Sequence, residues 1–513
     1  MKVSLNLIRK YVDLPEGLTD EQIAYDMTLR TVEVEEVENT AKKFHDIVVG
    51  EILEIKAHPN ADKLRICMVD IGEEEPVQIV CGGSNLFVGE HVVVSKPGAE
   101  VVWHGQGEPV KITKTKMRGE SSYGMICAST EVYLSDFFPN EEESEIVDLK
   151  DFDCKPGDSV ADLFGMNDTV LEIDNKSLSN RPDLWGHYGI ARELSAIYDV
   201  PLKELPKYEI PKVPEYSVEI KDTTKCNRYV AVEIDGIYEK PSPMWMQSLL
   251  SKVGQRPINA IVDITNYVMM AVGQPLHAFD KTHVSGEKII VRNAKENEKL
   301  LDNNFIELST DDLVICDESD AMALAGIKGG KKDSILPDTK GVVLEVANFS
   351  ADTVRQTDKK FAEKTEASMR FEKGVDTQRV DEGLNLALIF PDRKIIKYAD
   401  VYPNETKKNE IKVSEEFLDT RLGKKIPQEK IEQILTALGY EISLNNGEYD
   451  VIVPTWRSTG DVTIKDDVMG DIARILSFDS FEAKPITITF EHSVKQNDVL
   501  LERRIKEYLA YRC

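Results

Sequence analysis

Residues 255–280, QRPINAIVDITNYVMMAVGQPLHAFD, join a long apolar run to a polar turn that ends in a histidine, and this stretch constrains the chain more than any other. Ile258, Val262 and Thr265 recur at helical spacing with Ile261 and Met269 alongside, so a buried helix is predicted, stopped by Gly273 and Pro275. His277 is then expected just past the helix, on a turn between a buried element and Phe279. A lone histidine among apolar neighbours is more often a satisfied core residue than a catalyst, so its meaning depends on what the turn faces.

A chain of 513 residues exceeds what one core organises, and several domains are expected. Charged residues at 30% and apolar ones at 41% are ordinary for globular domains. The cysteines (Cys67, Cys81, Cys127, Cys154, Cys226, Cys316, Cys513) are odd in number and contain no CxxC pair, so reduced thiols are expected rather than a disulfide framework or zinc ribbon. With no signal segment and no apolar run of spanning length, a cytoplasmic chain with no membrane contact is expected. A net charge of -28 repels nucleic acid in bulk, so any RNA contact must come from a local basic stripe or a partner subunit.

Residues 1–40 read as a small helical module, with Thr19 and Gln22 at capping-box spacing before Ile23 and Met27. From Asp46 the period becomes strand-like over 47–55, 64–71, 77–81 and 92–95, which predicts a small Greek-key barrel of the OB type. Residues 111–118, KITKTKMR, carry Lys111, Lys114, Lys116 and Arg118 and no acid, with Tyr123 close behind. Such a stripe either tracks a phosphate backbone or guards a strand edge. HPNADKL, with His58 and Lys63, lies between the first two strands, and the acidic residues 131–153, including Glu141 and Glu143, read as a solvated exit from the barrel.

Beyond a linker near Pro211 and Pro214 an α/β region is predicted to about residue 395, with strands near 229–234, 288–292, 313–316 and 342–346. Within it three further segments are candidates to face His277: ALAGIKGG around Gly326, LEVANF around Glu345, and KTEASMRFEKGVD with Thr365 and Ala367. Glu345 interrupts an apolar strand, and a carboxylate there needs a hydrogen-bonding partner or a ligand. No serine or cysteine triad is evident. Pro427 opens a helix that Gly439 ends, and Asn446-Gly447 turns a hairpin, which together suit a winged-helix-like module. After Arg457, Asp467 and Asp471 share a helix face with Asp461 upstream, a pattern that either binds a divalent ion or lies in water.

HPNADKL and MRGESSYGMICA resemble the tRNA-binding OB domain of several synthetases, while MKVSLNLIRKYVDL, LEIDNKS and NRPDLWGHYGIARE resemble the beta subunit of bacterial phenylalanyl-tRNA synthetase. The resemblance covers essentially the whole chain. It implies a multidomain α+β protein: an N-terminal helical module (1–40, continued by 155–205), an OB-type β-barrel inserted in it (41–154), an α/β editing domain of the B3/B4 kind (208–395), a winged-helix-like B5 domain (405–485), and the start of a truncated synthetase-like module (486–513). GQPLHAFD, ALAGIKGG, LEVANF and KTEASMRFEKGVD resemble the segments that line the family's editing site, where tyrosine wrongly attached to the phenylalanine tRNA is hydrolysed.

By that resemblance Glu345 would accept the tyrosine hydroxyl, Gly326 would border the ring, and Thr365 and Ala367 would shape the wall. His277, with Asn266 nearby, would order the tRNA 3′ end or the attacking water. Lys111, Lys114, Lys116, Arg118, His58 and Lys63 would bind tRNA, and Asp461, Asp467 and Asp471 would bind Mg2+ near the alpha subunit, with Gly470 where the family usually has glutamate. The implied activity is ATP-dependent attachment of phenylalanine to tRNA(Phe) by an alpha2beta2 assembly in which the alpha subunit uses the ATP; the alternative is a non-catalytic tRNA-binding scaffold.

Overall fold

The computed structural model describes residues 1–513 except 141, 143, 237–239, 302–304, 332–333, 391–393, 483–484, 486, 490–495 and 513; Glu141, Glu143, Cys513 and parts of the predicted last module therefore lie outside the described residues. The chain divides into two units, Met1–Ser477 and Phe478–Cys513.

The larger unit starts with two capped helices. The Ser4 hydroxyl accepts from the Leu7 amide above Leu5–Tyr11, and Thr19 accepts from Gln22 above Asp20–Arg30, which satisfies amides that a helix start leaves orphaned. The strand Lys2–Ser4 pairs with Thr169–Ile173, which pairs in turn with Val34–Asn39, so everything between Val34–Asn39 and Thr169–Ile173 is an insertion into one small module. That insertion is built on a five-stranded antiparallel sheet in the order Met125–Ile126, His91–Ser95, Ile47–Ala57, Arg65–Asp70, Val77–Cys81. Val49, Ile52, Val69, Val92 and Val94 are fully buried in it.

The next region stacks two sheets. In the four-stranded one, order Leu276–Asp280, Gly341–Phe349, Cys226–Asp235, Lys394–Val401, neighbours are antiparallel. Side chains alternate across it. Val230, Val232, Val342, Leu344, Val346 and Ala278 pack beside the helix Ala260–Val272 in one core, while Tyr229, Ala231, Val343, Ala347, Phe349 and Phe279 join the core of a second, five-stranded sheet that contains Leu313–Cys316 and Ala321–Leu324. All nine residues of Gly341–Phe349 are buried, so this strand reads as a continuous apolar run broken only by Glu345 and Asn348.

Two sequence expectations change here. The helix starts at Ala260 with Asn259 as its cap, and Ile258 lies outside it, exposed. His277 sits on the strand Leu276–Asp280, not on a turn: Gly273 takes a left-handed φ of 77° to end the helix, and the chain enters the sheet within three residues. A strand of five residues is too short for its alternation to stand out beside a strong helical run.

Residues 410–476 form a three-stranded sheet, order Glu410–Ser414, Glu448–Ile452, Glu441–Asn445, with the helices Gln428–Ala437 and Lys465–Leu476. Asn446 and Gly447 turn the hairpin with φ of 52° and 79°. A buried ionic network fastens this part to the N-terminal module. Arg181 holds Asp183 through two bonds of 2.9 and 2.8 Å and reaches Glu193 at 2.5 Å, and Arg474 pairs with Glu193 from the helix Lys465–Leu476. These arginines hold the Glu193 carboxyl down to about 2 against the opposing effect of burial. Arg192 stacks on Trp456 at 4.0 Å from the ring centre.

The smaller unit contains the helix Asn497–Arg512, on which Leu501, Ile505 and Leu509 are exposed. Among the described residues no helix is long and apolar enough to cross a membrane.

Gly189 is a sensitive joint, because a Cβ there would lie 1.9 Å from the Asp183 carbonyl oxygen. Gly189→Ala must push the helix His187–Tyr198 off the 182–184 turn and loosen the Arg181 network with it. We expect a loss of about 1–3 kcal/mol, read as a lower urea midpoint with unchanged slope.

Candidate functional site

His277 and Glu345 face each other because the strands that carry them pair residue for residue, His277 opposite Glu345. Both side chains lie on the sheet face that meets the second sheet, and between the layers is a small cavity of about 50 Å³ bordered by Ile315, Ala323, Gly326, Gly329, Ala367 and Phe371 as well. Glu345 is 6% exposed, and burial pushes its carboxyl up to about 7. The Tyr229 hydroxyl donates to Glu345 Oε2 at 2.7 Å, and burial holds that phenol well above its ordinary range, so it remains a donor. Burial holds the His277 imidazole down to about 4, so it is neutral at pH 7.

Two glycines make room. A Cβ on Gly329 would lie 2.6 Å from the His277 ring, whose other side packs edge-on against Phe279 at 4.7 Å. Gly326 turns the loop with φ of 72°, and a Cβ there would press on Val354, Phe371 and Phe349. Ala367 lines the cavity from the helix Glu366–Phe371. Thr365 and Asn266 do not line it. Thr365 caps that helix by accepting from the Ser368 amide, and its hydroxyl donates to the Ile327 carbonyl at 2.9 Å, so it braces the wall from behind. Asn266 is half-buried on the helix Ala260–Val272, which packs on the opposite face of the sheet.

Sequence reasoning missed Tyr229, while Gly329 and Phe371 stood only as members of the segments ALAGIKGG and KTEASMRFEKGVD. Tyr229 carried a signal only through alternation with Ala231, which pairs with Glu345; that register is invisible until the strands are paired. No residue lining the cavity bears a hydroxyl or thiol, so an acyl-enzyme route has no nucleophile among them. What the cavity offers is a carboxylate acceptor, a neutral imidazole and apolar walls.

In the inserted sheet domain Lys111, Lys114, Lys116, Arg118 and Lys63 are exposed, and Lys114 lies over the Tyr123 ring at 5.1 Å. Arg118 and Gly119 turn the hairpin between Thr115–Met117 and Glu120–Ser122 with φ of 48° and 102°. His58 corrects the expectation for it: at 6% exposed it is no surface contact. Its Nε2 donates to the Met117 carbonyl at 3.0 Å and its Nδ1 accepts from the Asn60 amide at 3.0 Å, while Asn60 donates to the Arg118 carbonyl. HPNADKL thus pins the cationic hairpin in place, because a buried imidazole needs both nitrogens paired. A larger cavity of about 310 Å³ lies beneath this hairpin, lined by Leu64, Ile112, Met117 and Ile126; it includes none of the predicted site residues.

Comparison with known proteins matches three family models, a putative tRNA binding domain over residues 47–159, a B3/4 domain over 225–389 and a tRNA synthetase B5 domain over 411–478. A phenylalanine–tRNA ligase beta subunit of Oceanobacillus iheyensis is 36% identical over 99% of this chain and 63% of its own length, and that of Halalkalibacterium halodurans is 35% identical over 94% of this chain and 60% of its own. The chain belongs to the phenylalanine–tRNA ligase beta subunit family. It spans about three fifths of the length of these curated relatives.

The magnesium ligands that membership in the beta subunit family implies do not fit the geometry. Asp461 accepts from Asn180 at 2.7 Å and from Arg457, and Asp467 accepts from the Thr463 and Ile464 amides at 2.8 and 3.0 Å as the cap of its own helix. Asp471 is 4% exposed and takes Arg457 at 3.0 Å, Arg474 at 2.9 Å and the Tyr440 hydroxyl at 2.5 Å. Guanidinium groups hold Asp461 and Asp471, and backbone amides hold Asp467. Gly470 offers no fourth carboxylate, and among the described residues no cluster of three His, Cys, Asp or Glu could hold a metal.

The arginines hold the Asp471 carboxyl far below its ordinary range despite burial. Removing one guanidinium leaves that charge unpaired in a dry site. Arg457→Met should cost about 3–5 kcal/mol, while millimolar Mg2+ or EDTA should leave the melting temperature of the native chain unchanged; calorimetry checks both.

Proposed function

We propose that this chain acts as the proofreading and tRNA-holding part of a phenylalanine–tRNA ligase, hydrolysing tyrosine from mischarged Tyr-tRNA(Phe) in the cavity between the two sheets. The observation that carries the reading is the buried Glu345 carboxylate, set in an otherwise apolar strand and opening on a cavity opposite a neutral His277. Tyrosine differs from phenylalanine by one hydroxyl. A site that hydrogen-bonds this hydroxyl rejects the analogue lacking it by a large factor, since the buried acceptor would go unpaired.

Hydrolysis needs a water placed against the ester carbonyl, not a covalent intermediate. His277 is held by Phe279 and Gly329 with its neutral ring at the cavity, where it orients that water or the terminal ribose. The exposed cations of the inserted domain supply the phosphate contacts that a chain of net charge -28 otherwise lacks. Attachment of phenylalanine with ATP and magnesium belongs, in this reading, to an alpha subunit in an alpha2beta2 assembly in the cytoplasm.

A cavity of about 50 Å³ holds a few waters rather than a phenol ring, which favours as second reading a scaffold that binds tRNA without chemistry. One assay separates the two. Mixed with an alpha subunit, the chain should release tyrosine from Tyr-tRNA(Phe), and Glu345→Ala should slow release about ten- to hundredfold with tRNA affinity unchanged. Undiminished release by that variant rules out the cavity, and RNA binding with no release by the native chain leaves the scaffold.

A further inference from the structure

Glu345 already has a phenol. The Tyr229 hydroxyl donates to its Oε2 at 2.7 Å, both residues are buried, and among the described residues no other group donates to this carboxylate. The geometry follows from the sheet: Ala231 is the cross-strand partner of Glu345, and Tyr229 stands two residues along on the same face, so its ring crosses diagonally to the carboxylate. His277 closes the other flank, and the cavity borders the rest of the side chain.

We propose that Tyr229 is the positioning residue for tyrosine selection: its hydroxyl clamps one oxygen of Glu345 so that the other is presented to the phenol of a tyrosyl ester. This rests on the deacylase reading above. A glutamate side chain has three rotatable bonds, and without a fixed partner it must be ordered at the moment the substrate binds. The clamp removes that cost. A carboxylate accepts through both oxygens, so the second phenol adds to the first without displacing it.

The clamp also sets the charge of the acceptor. Burial pushes Glu345 up, and the hydrogen bond from Tyr229 opposes that push. Without it more of the carboxyl is protonated at pH 7, and its bond to a hydroxyl is no longer charge-assisted, which weakens the preference for a hydroxyl over a bare ring. The titratable groups nearby are Tyr229 and Cys226 on the adjacent strand, both pushed up by burial, His277, held down to about 4, and Lys328 on the cavity rim, paired with Glu363 at 2.8 Å. Among these neighbours Glu345 is the group placed near 7, and Glu90, placed there too, belongs to the inserted sheet domain, so a pH profile in that window reads Glu345 once Glu345→Ala is run beside it.

The test measures tyrosine release from Tyr-tRNA(Phe) and phenylalanine release from Phe-tRNA(Phe) between pH 6 and 8, with the chain mixed with an alpha subunit and enzyme-free rates subtracted. The native rate should rise with pH about a midpoint near 7. Tyr229→Phe should move the midpoint up by about one unit, lower the rate at pH 6.5 about tenfold, and cut the tyrosine-over-phenylalanine preference about tenfold, with recovery toward pH 8. Placing 3-fluorotyrosine at 229, a stronger donor of the same shape, should move the midpoint down. That variant decides the matter if Tyr229→Phe fails to fold. An unmoved midpoint and preference, with Glu345→Ala inactive, overturn the clamp and leave the deacylase; full activity of Glu345→Ala overturns the deacylase itself.

Discussion

A carboxylate cannot be buried between two apolar sheets unless something donates to it, and the B3/4 domain is arranged around that requirement. Glu345 lies on a strand covered on both faces, so its partners must come from neighbouring strands and not from solvent. Tyr229 meets the need from one side, and the register that brings His277 opposite closes the other. The glycines at 326 and 329 follow from the same crowding, since any side chain there would displace Phe371 or the imidazole.

A second group of buried charges obeys the same rule with a different donor. Asp183, Glu193, Asp461 and Asp471 would be untenable in the seam between the N-terminal module and the B5 domain but for Arg181, Arg457 and Arg474. Replacing one partner leaves a lone charge, so these residues stand or fall together. Arginine suits this task because it keeps its proton under burial and offers a planar fork to two acids at once.

Much of this was legible in the sequence. The capped helix starts, the strand-rich insertion, the Asn446-Gly447 hairpin and the four motif segments each follow from local chemistry or from resemblance. What failed was whatever depends on pairing. The pattern puts His277 on a turn because five strand residues after a strong helix show no period of their own. The resemblance counts His58 among the RNA contacts, and nothing local reveals the Met117 carbonyl 59 positions away. Tyr229 escapes notice for the same reason, and the three aspartates are assigned to Mg2+ by resemblance alone, since spacing does not show that Arg457 and Arg474 turn onto Asp461 and Asp471.

The insertion of one module inside another also sets an order of events in synthesis. The strand Lys2–Ser4 has its partner at Thr169–Ile173, so it waits through the synthesis of nearly 170 further residues, on the order of ten seconds, before its sheet can close. The inserted sheet domain, whose strands pair among themselves, can fold within that delay. Its completion draws the two flanks of the outer module together and shortens the loop that the late pairing must close.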